Sequence, residues 1–273
     1  MKRRMSLVVA ATMMSPAMAQ AGVYIETAER DTRTGQDRPD HVMYIQDGAV
    51  RIEQPERGAD GDLMVFRDDA MYLIEPAKKT YTVLDRDTMH TVGGIVNDAM
   101  GMARKELAKM SPEQRAMIEQ MMGEKAGSIL GRTGEAPAIT VRDTGRLEAV
   151  DDRDCRNWEI LRDGAVVQEL CVVPFGNVPG KEDLAGLAAR MSALVKELTG
   201  ILADIGFDVG GMESLEAVEG YPVRIREFAN GKADPVERVL KQWREEQVDP
   251  AMFQVPEGYE RRDLQREIDK VRP

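Results

Sequence analysis

Few side chains in this chain of 273 residues have the type and spacing to do chemistry: two cysteines, two histidines and an unusual 18 methionines. Cys155 and Cys171 read as one disulfide of an oxidising compartment. Trp158 to Leu161 and Ala165 to Leu170 are strand-like runs around Arg162-Asp163-Gly164, a three-residue hairpin loop. Pairing Leu161 with Ala165 and continuing the register sets Cys155 directly opposite Cys171. Closing such a loop stabilises by about 3 kcal/mol in the chain-entropy model. There is no Cys-x-x-Cys, so the pair reads as structural and not redox-active.

His41 and His90 stand alone, with no His-Glu-x-x-His or other clustered ligand spacing, and each reads as a surface or internally satisfied histidine. Neither Gly-x-Ser-x-Gly nor a phosphate-cradling loop occurs. The sequence therefore assigns no catalytic residue, no metal ligand and no cofactor, and the expectation is a non-enzymatic protein. Met89, Met100, Met102, Met110, Met117, Met121 and Met122 crowd one segment. Flexible thioethers suit a surface that adapts to variable apolar ligands. They equally fill the core under a weak helix, and thioethers also capture soft Cu(I).

The elements that must position these groups follow from periodicity. From Val23 to Leu84 the chain reads as consecutive short strands, with turns at Gln46-Asp47-Gly48, Arg67-Asp68-Asp69 and Glu75-Pro76-Ala77-Lys78. The runs at Leu63 to Phe66 and Ala70 to Ile74 are apolar at every position, which predicts cover on both faces of that part of the sheet. From Val92, steps of three and four through Ile95, Val96, Ala99, Met100, Ala103, Leu107 and Met110 predict a helix weakened by glycines 93, 94 and 101. Ser111-Pro112-Glu113-Gln114 is a capping box that starts a second helix, antiparallel to the first. Strands near Ile139 to Val150 and the cysteine hairpin precede a third amphipathic helix from Leu184 to Ile205. Strands at Tyr221 to Phe228 and Val236 to Arg244 turn at Asn230-Gly231, and a charged tail begins at about Arg261.

Lys2, Arg3 and Arg4, the apolar run Leu7 to Met14 and Ala17-Met18-Ala19 form a cleavable signal peptide over residues 1–19, with 20–273 as one domain. No cysteine follows the cleavage point to carry a lipid, so the expected product is a soluble, unanchored periplasmic protein. A formal net charge of -11 opposes nucleic acid and anionic lipid surfaces as general partners.

Gly48-Ala-Val-Arg-Ile-Glu53, Met71-Tyr-Leu-Ile-Glu-Pro76 with Lys79-Thr-Tyr81, Gly220-Tyr-Pro-Val223 and Phe253-Gln-Val-Pro-Glu-Gly-Tyr259 resemble a periplasmic family of unknown function grouped with the lipoprotein-carrier superfamily of LolA and LolB type. The resemblance implies an α+β fold, a curved antiparallel sheet forming an unclosed β-barrel covered by amphipathic helices, here with about eleven strands. It implies a non-catalytic binding protein for an acyl chain, a lipid or a lipidated protein held between sheet and Met-rich helices. Met100, Leu107, Met117, Met121, Met122, Leu187 and Met191 would line that site, and Arg51 would hold the helical lid. The alternative is a cell-envelope interaction module with the same fold, a filled cavity and an envelope protein as partner.

Overall fold

The computed structural model describes residues 22–114, 138–181, 220–229 and 231–264, together with 117, 184, 186, 187, 190, 191 and 218. The leader, most of the second and third helices and the tail beyond Leu264 lie outside the described residues. Twelve strands make one sheet, one more than the sequence suggests. They are β1 (Gly22–Asp31), β2 (Asp37–Gln46), β3 (Ala49–Glu53), β4 (Leu63–Arg67), β5 (Ala70–Glu75), β6 (Thr80–Leu84), β7 (Ile139–Val150), β8 (Arg153–Arg162), β9 (Ala165–Val173), β10 (Tyr221–Ala229), β11 (Lys232–Glu246) and β12 (Glu260–Arg261). The order is β12-β6-β5-β4-β3-β2-β1-β11-β10-β9-β8-β7, an unclosed sheet. All neighbours are antiparallel except β12, which runs parallel to β6. This two-residue strand is the additional one, and it starts the segment expected to be only a charged tail.

Two-residue turns set much of the register. Asp47-Gly48, Asp68-Asp69 and Asp163-Gly164 each place both residues at positive φ, the conformation that matches the twist of the flanking strands. Around Asp47-Gly48 and Asp68-Asp69 this pairs Met43 with Ile52 and Met64 with Leu73. All three loops are one residue shorter than the sequence reading has them, since Gln46, Arg67 and Arg162 each pair in the ladder, and at Asp163-Gly164 this moves the cysteines. Leu161 therefore pairs with Val166, and a bulge between Ile160 and Leu161 shifts the ladder again. Asn157, not Cys155, faces Cys171. The disulfide still forms, on the diagonal, with Cα atoms 5.4 Å apart.

Curvature is visible in contacts that a flat sheet forbids. Asp151 sits in the turn after β7, and β8 lies three strand spacings from β11, roughly 14 Å in a flat sheet. Yet its carboxylate accepts from Arg30 of β1 at 3.0 Å and Lys241 of β11 at 3.3 Å. Glu148 of β7 likewise reaches Arg224 of β10 at 2.8 Å. The β7–β9 end thus rolls over its neighbours. Inside the roll lie the disulfide and a charge cluster in which Glu169 accepts from Arg146, Arg224 and Arg226, beside fully buried Asn157. Opposite charges and hydrogen bonds compensate one another there, which burial requires.

The Arg30 cluster gives the fold a pH dependence. Hydrogen bonding from Arg30, against the opposing effect of burial and with help from Lys241, holds the Asp37 carboxyl well below the usual carboxylate range. Burial alone would raise Asp151, but bonds from Arg30 and Lys241 outweigh it, so that group is lowered too. The native state binds these protons more weakly than the unfolded chain. Stability from the cluster is therefore complete above the unfolded carboxylate value of about 4 and lost as pH falls through the lower folded values. Asp37→Asn should lower stability at neutral pH and flatten its fall below about pH 4. Urea melts at a series of pH values check this, and an unchanged slope in the variant would contradict it.

Helix α1 (Arg86–Lys109) begins earlier than the apolar period suggests, because Asp85 caps it by accepting from the Thr88 amide at 2.8 Å. It meets the sheet chiefly at β6, where Met89 is buried. The capping box at Ser111 is present: its hydroxyl accepts from the Gln114 amide at 3.3 Å, and the Gln114 side chain accepts from the Ser111 amide at 2.9 Å. The antiparallel packing of the second helix falls outside the described residues.

Candidate functional site

Strand alternation divides the left part of the sheet into two faces. On one, Trp243, Ile25, Met43, Ile52, Met64, Leu73 and Thr82 pair in register as a single row from β11 to β6. On the other, Arg244, Tyr24, Tyr44, Arg51, Val65, Tyr72 and Val83 form the matching row. The two faces meet different fates.

The second, or back, face is sealed by the chain after β11. Val248 and Phe253 are buried against Val65 and Ile74, with Met252, Val255 and Tyr259 packed around them. Arg51 stands on this face and donates to the Met252 carbonyl at 2.8 Å, while also pairing with Glu53. It ties down the C-terminal segment, and neither of these partners lies on α1. Nearby, the Arg244 guanidinium lies 3.7 Å over the Tyr24 ring. Burial, reinforced by the bond to Glu26, pushes the Tyr24 hydroxyl up to about 12.

The first face is covered only in part. Val178, Leu184 and Leu187 are buried against Val23, Ile25, Ile45, Val50 and Phe66, with Met191 partly buried beside them. Two contacts anchor this cover: Trp243 Nε1 donates to the Pro179 carbonyl at 3.2 Å, and Arg190 Nε donates to Asp69 at 3.1 Å. Beyond it, among the described residues, the row lines a trough. One hollow of about 560 Å³ is lined by Ile52, Met64, Leu73, Thr82 and Leu84. A second of about 320 Å³ is lined by Met43, Tyr221, Val223, Ile225 and Leu240. His41, Ile52 and Met64 belong to both, so the two hollows join. Among the described residues the cover on this face of β4 and β5 is partial, with Leu73 38 % exposed.

Polar groups gather at the junction. The Asp40 carboxylate, buried at 8 % exposure, accepts from His41 Nδ1 and from Arg238 Nε, each at 2.6 Å. Burial alone would raise the Asp40 carboxyl, but these two bonds outweigh it and hold it below the ordinary value. The Thr27 hydroxyl lies 3.3 Å from the same carboxylate, and Gln54 Nε2 lies 3.4 Å from His41 Nε2.

Of the residues expected to line a ligand site, Leu187 and Met191 pack in the cover over Val23, Ile25 and Phe66 and line neither hollow. Met117 is 64 % exposed, and Leu107 is half-buried on α1. Met100 has no described side chain, and Met121 and Met122 lie outside the described residues. The methionines that line the trough are Met43 and Met64, on strands and outside the Met-rich segment. Their signal is the two-residue turns, which fix Met43 opposite Ile52 and Met64 opposite Leu73. Among the described residues no group of histidine, cysteine or carboxylate side chains is placed to hold a metal ion. No helix among them is long and apolar enough to cross a membrane.

No protein-family model and no curated protein matches the chain. Solved structures with a similar outline include an uncharacterised conserved protein from Thermus thermophilus, 8 % identical over 90 % of this chain and 92 % of that one, with a TM-score of 0.42. PNGF-II aligns at 7 % identity over 92 % of this chain and 33 % of its own, with a TM-score of 0.38. At such scores neither likeness carries a functional argument.

Proposed function

We propose that this protein is a non-catalytic binding protein of the periplasm whose trough holds an apolar ligand, either an acyl chain, a lipid or the lipid of a lipidated protein. The observation that carries the reading is the joined pair of apolar hollows, about 560 and 320 Å³, left on a sheet face whose other end is packed to core density. Open apolar concavities of this size with a few convergent polar groups are what small-molecule sites look like. The Cys155–Cys171 bond fits an exported chain, as does the leader-like sequence of residues 1–19. On this reading the resemblance to the lipoprotein carriers is one of sheet and trough. The cover is the segment bearing Leu184 and Leu187, in place of α1.

Native mass spectrometry of protein purified from its own periplasm, before and after delipidation, tests the proposal. Co-purifying lipid, lost on delipidation and regained from an added apolar dye, is the expected result. Leu73→Glu places a carboxylate on the trough floor at a half-exposed position that tolerates it. It should cut dye uptake about tenfold with little change in melting temperature, because an ion resists burial by an apolar ligand. Unchanged uptake would rule out the trough as the site.

A further inference from the structure

Resting on the apolar-ligand reading, we propose that the occupant is an amphiphile with an uncharged, hydrogen-bond-accepting headgroup, an ester or amide carbonyl, seated where Arg238, His41 and Gln54 meet the trough. The position follows from the joining of the hollows. His41 lines both, so the polar groups stand between the two hollows, with the Arg238 side chain 44 % exposed at the rim.

The donor set decides that the headgroup accepts hydrogen bonds. Arg238 lines the second hollow and spends only Nε on Asp40, which leaves its two Nη groups without a hydrogen-bond partner among the described residues. Asp40 holds the proton on His41 Nδ1, so Nε2 is turned towards the Gln54 amide. Gln54 keeps a second amide N–H for an occupant. A carbonyl oxygen satisfies such a fork. A bare alkyl chain leaves unpaired whichever of these donors it desolvates, and binds more weakly for it.

Charge decides that the headgroup is neutral. The Arg238 cation is matched by Asp40 at 2.6 Å. Its cross-strand neighbour Glu29 pairs with Arg38, and Glu227 and Asp234 line the hollow beyond Ile225. With Arg57, Arg262, Asp62 and Glu75 of the first hollow, four guanidinium groups stand against six carboxylates around the trough, a balance that disfavours a carboxylate or phosphate. Any full charge also pays desolvation on entering apolar walls.

The test titrates the full mature chain with three fluorescent probes that share one acyl chain: the glycerol monoester, the free fatty acid and the alkylamine. The monoester should bind about tenfold more tightly than either charged probe. Arg238→Leu should erase that preference while chain binding persists. Arg238→Lys keeps the charge beside Asp40 but lacks the fork, so it should lose most of the preference and serves if the leucine variant misfolds. Equal or tighter binding of the acid or the amine overturns the headgroup assignment and leaves the trough reading standing, as does a preference that survives both substitutions. Binding of none of the three overturns the trough reading, and this inference with it.

Discussion

Gly220→Ala is expected to destabilise the protein by about 3 kcal/mol, the upper range for forcing atoms into a packed site. A β-carbon at Gly220 would stand 2.2 Å from the Val173 carbonyl oxygen and 2.6 Å from Val172 Cγ1. The carbonyl is backbone in β9, which is held on both sides by β8 and β10, so it cannot swing away as a side-chain tip would. Either β10 moves out of register or the ladder beside the disulfide opens. Because Tyr221, Val223 and Ile225 line the second hollow directly downstream, the variant should also lose ligand binding in proportion to its unfolding. The matched control is Gly94→Ala, where an added methyl meets nothing within 4 Å and a helix gains propensity. Urea melts of the two variants should separate clearly, and a Gly220→Ala protein as stable as the parent would mean that β9 and β10 are not packed as described.

How much of this was legible in the sequence depends on distance along the chain. The places of the turns at Asp47-Gly48 and Asp68-Asp69 announce themselves locally, but Gln46 and Arg67, read as loop residues, belong to the strands, and it is the two-residue turns that set Met43 opposite Ile52 and Met64 opposite Leu73. The Ser111 capping box is equally local, and it formed as read. One residue in a loop was enough to misplace the cysteine ladder, because the side-chain period of a strand is two and Asp163-Gly164 turns without Arg162. The bulge at Ile160 is a compensation no local pattern announces. The candidate site was hidden for a different reason. Asp40 and Arg238 lie at opposite ends of the chain and meet only because β2 and β11 flank β1. A strand arginine such as Arg51 gives no sign of which face it will take until the register of five strands is known, and it took the back face. Methionine density drew attention to α1, whereas among the described residues the apolar hollows are lined mainly from strand positions.

That covering segment carries the other large expected effect. Leu187→Asp should cost about 4 kcal/mol or more, as loss of buried apolar contact adds to burial of an unpaired carboxylate. Leu187 is 6 % exposed and belongs to the cluster containing Val23, Ile25, Val50 and Phe66, which come from three strands of the sheet. Its neighbour Arg190 is 41 % exposed and pairs with Asp69, which gives the comparison: Arg190→Ala removes a surface ion pair from the same turn and should cost less than about 1 kcal/mol. The segment is pinned at its start by Gly180, at φ +64, where a β-carbon would stand 2.0 Å from the Val23 side chain. It therefore cannot simply slide to bring the new carboxylate into water. If the cover is part of the folded core, Leu187→Asp should lower the urea midpoint of the whole sheet in one cooperative transition. A cover that merely rests on the trough predicts something else. The sheet would then melt as in the parent while amide exchange rises only around residues 178–191, and dye uptake would increase as the apolar surface under Leu184 and Leu187 became accessible beside the trough. Cooperative loss supports the core assignment, and selective opening with a stable sheet would overturn it.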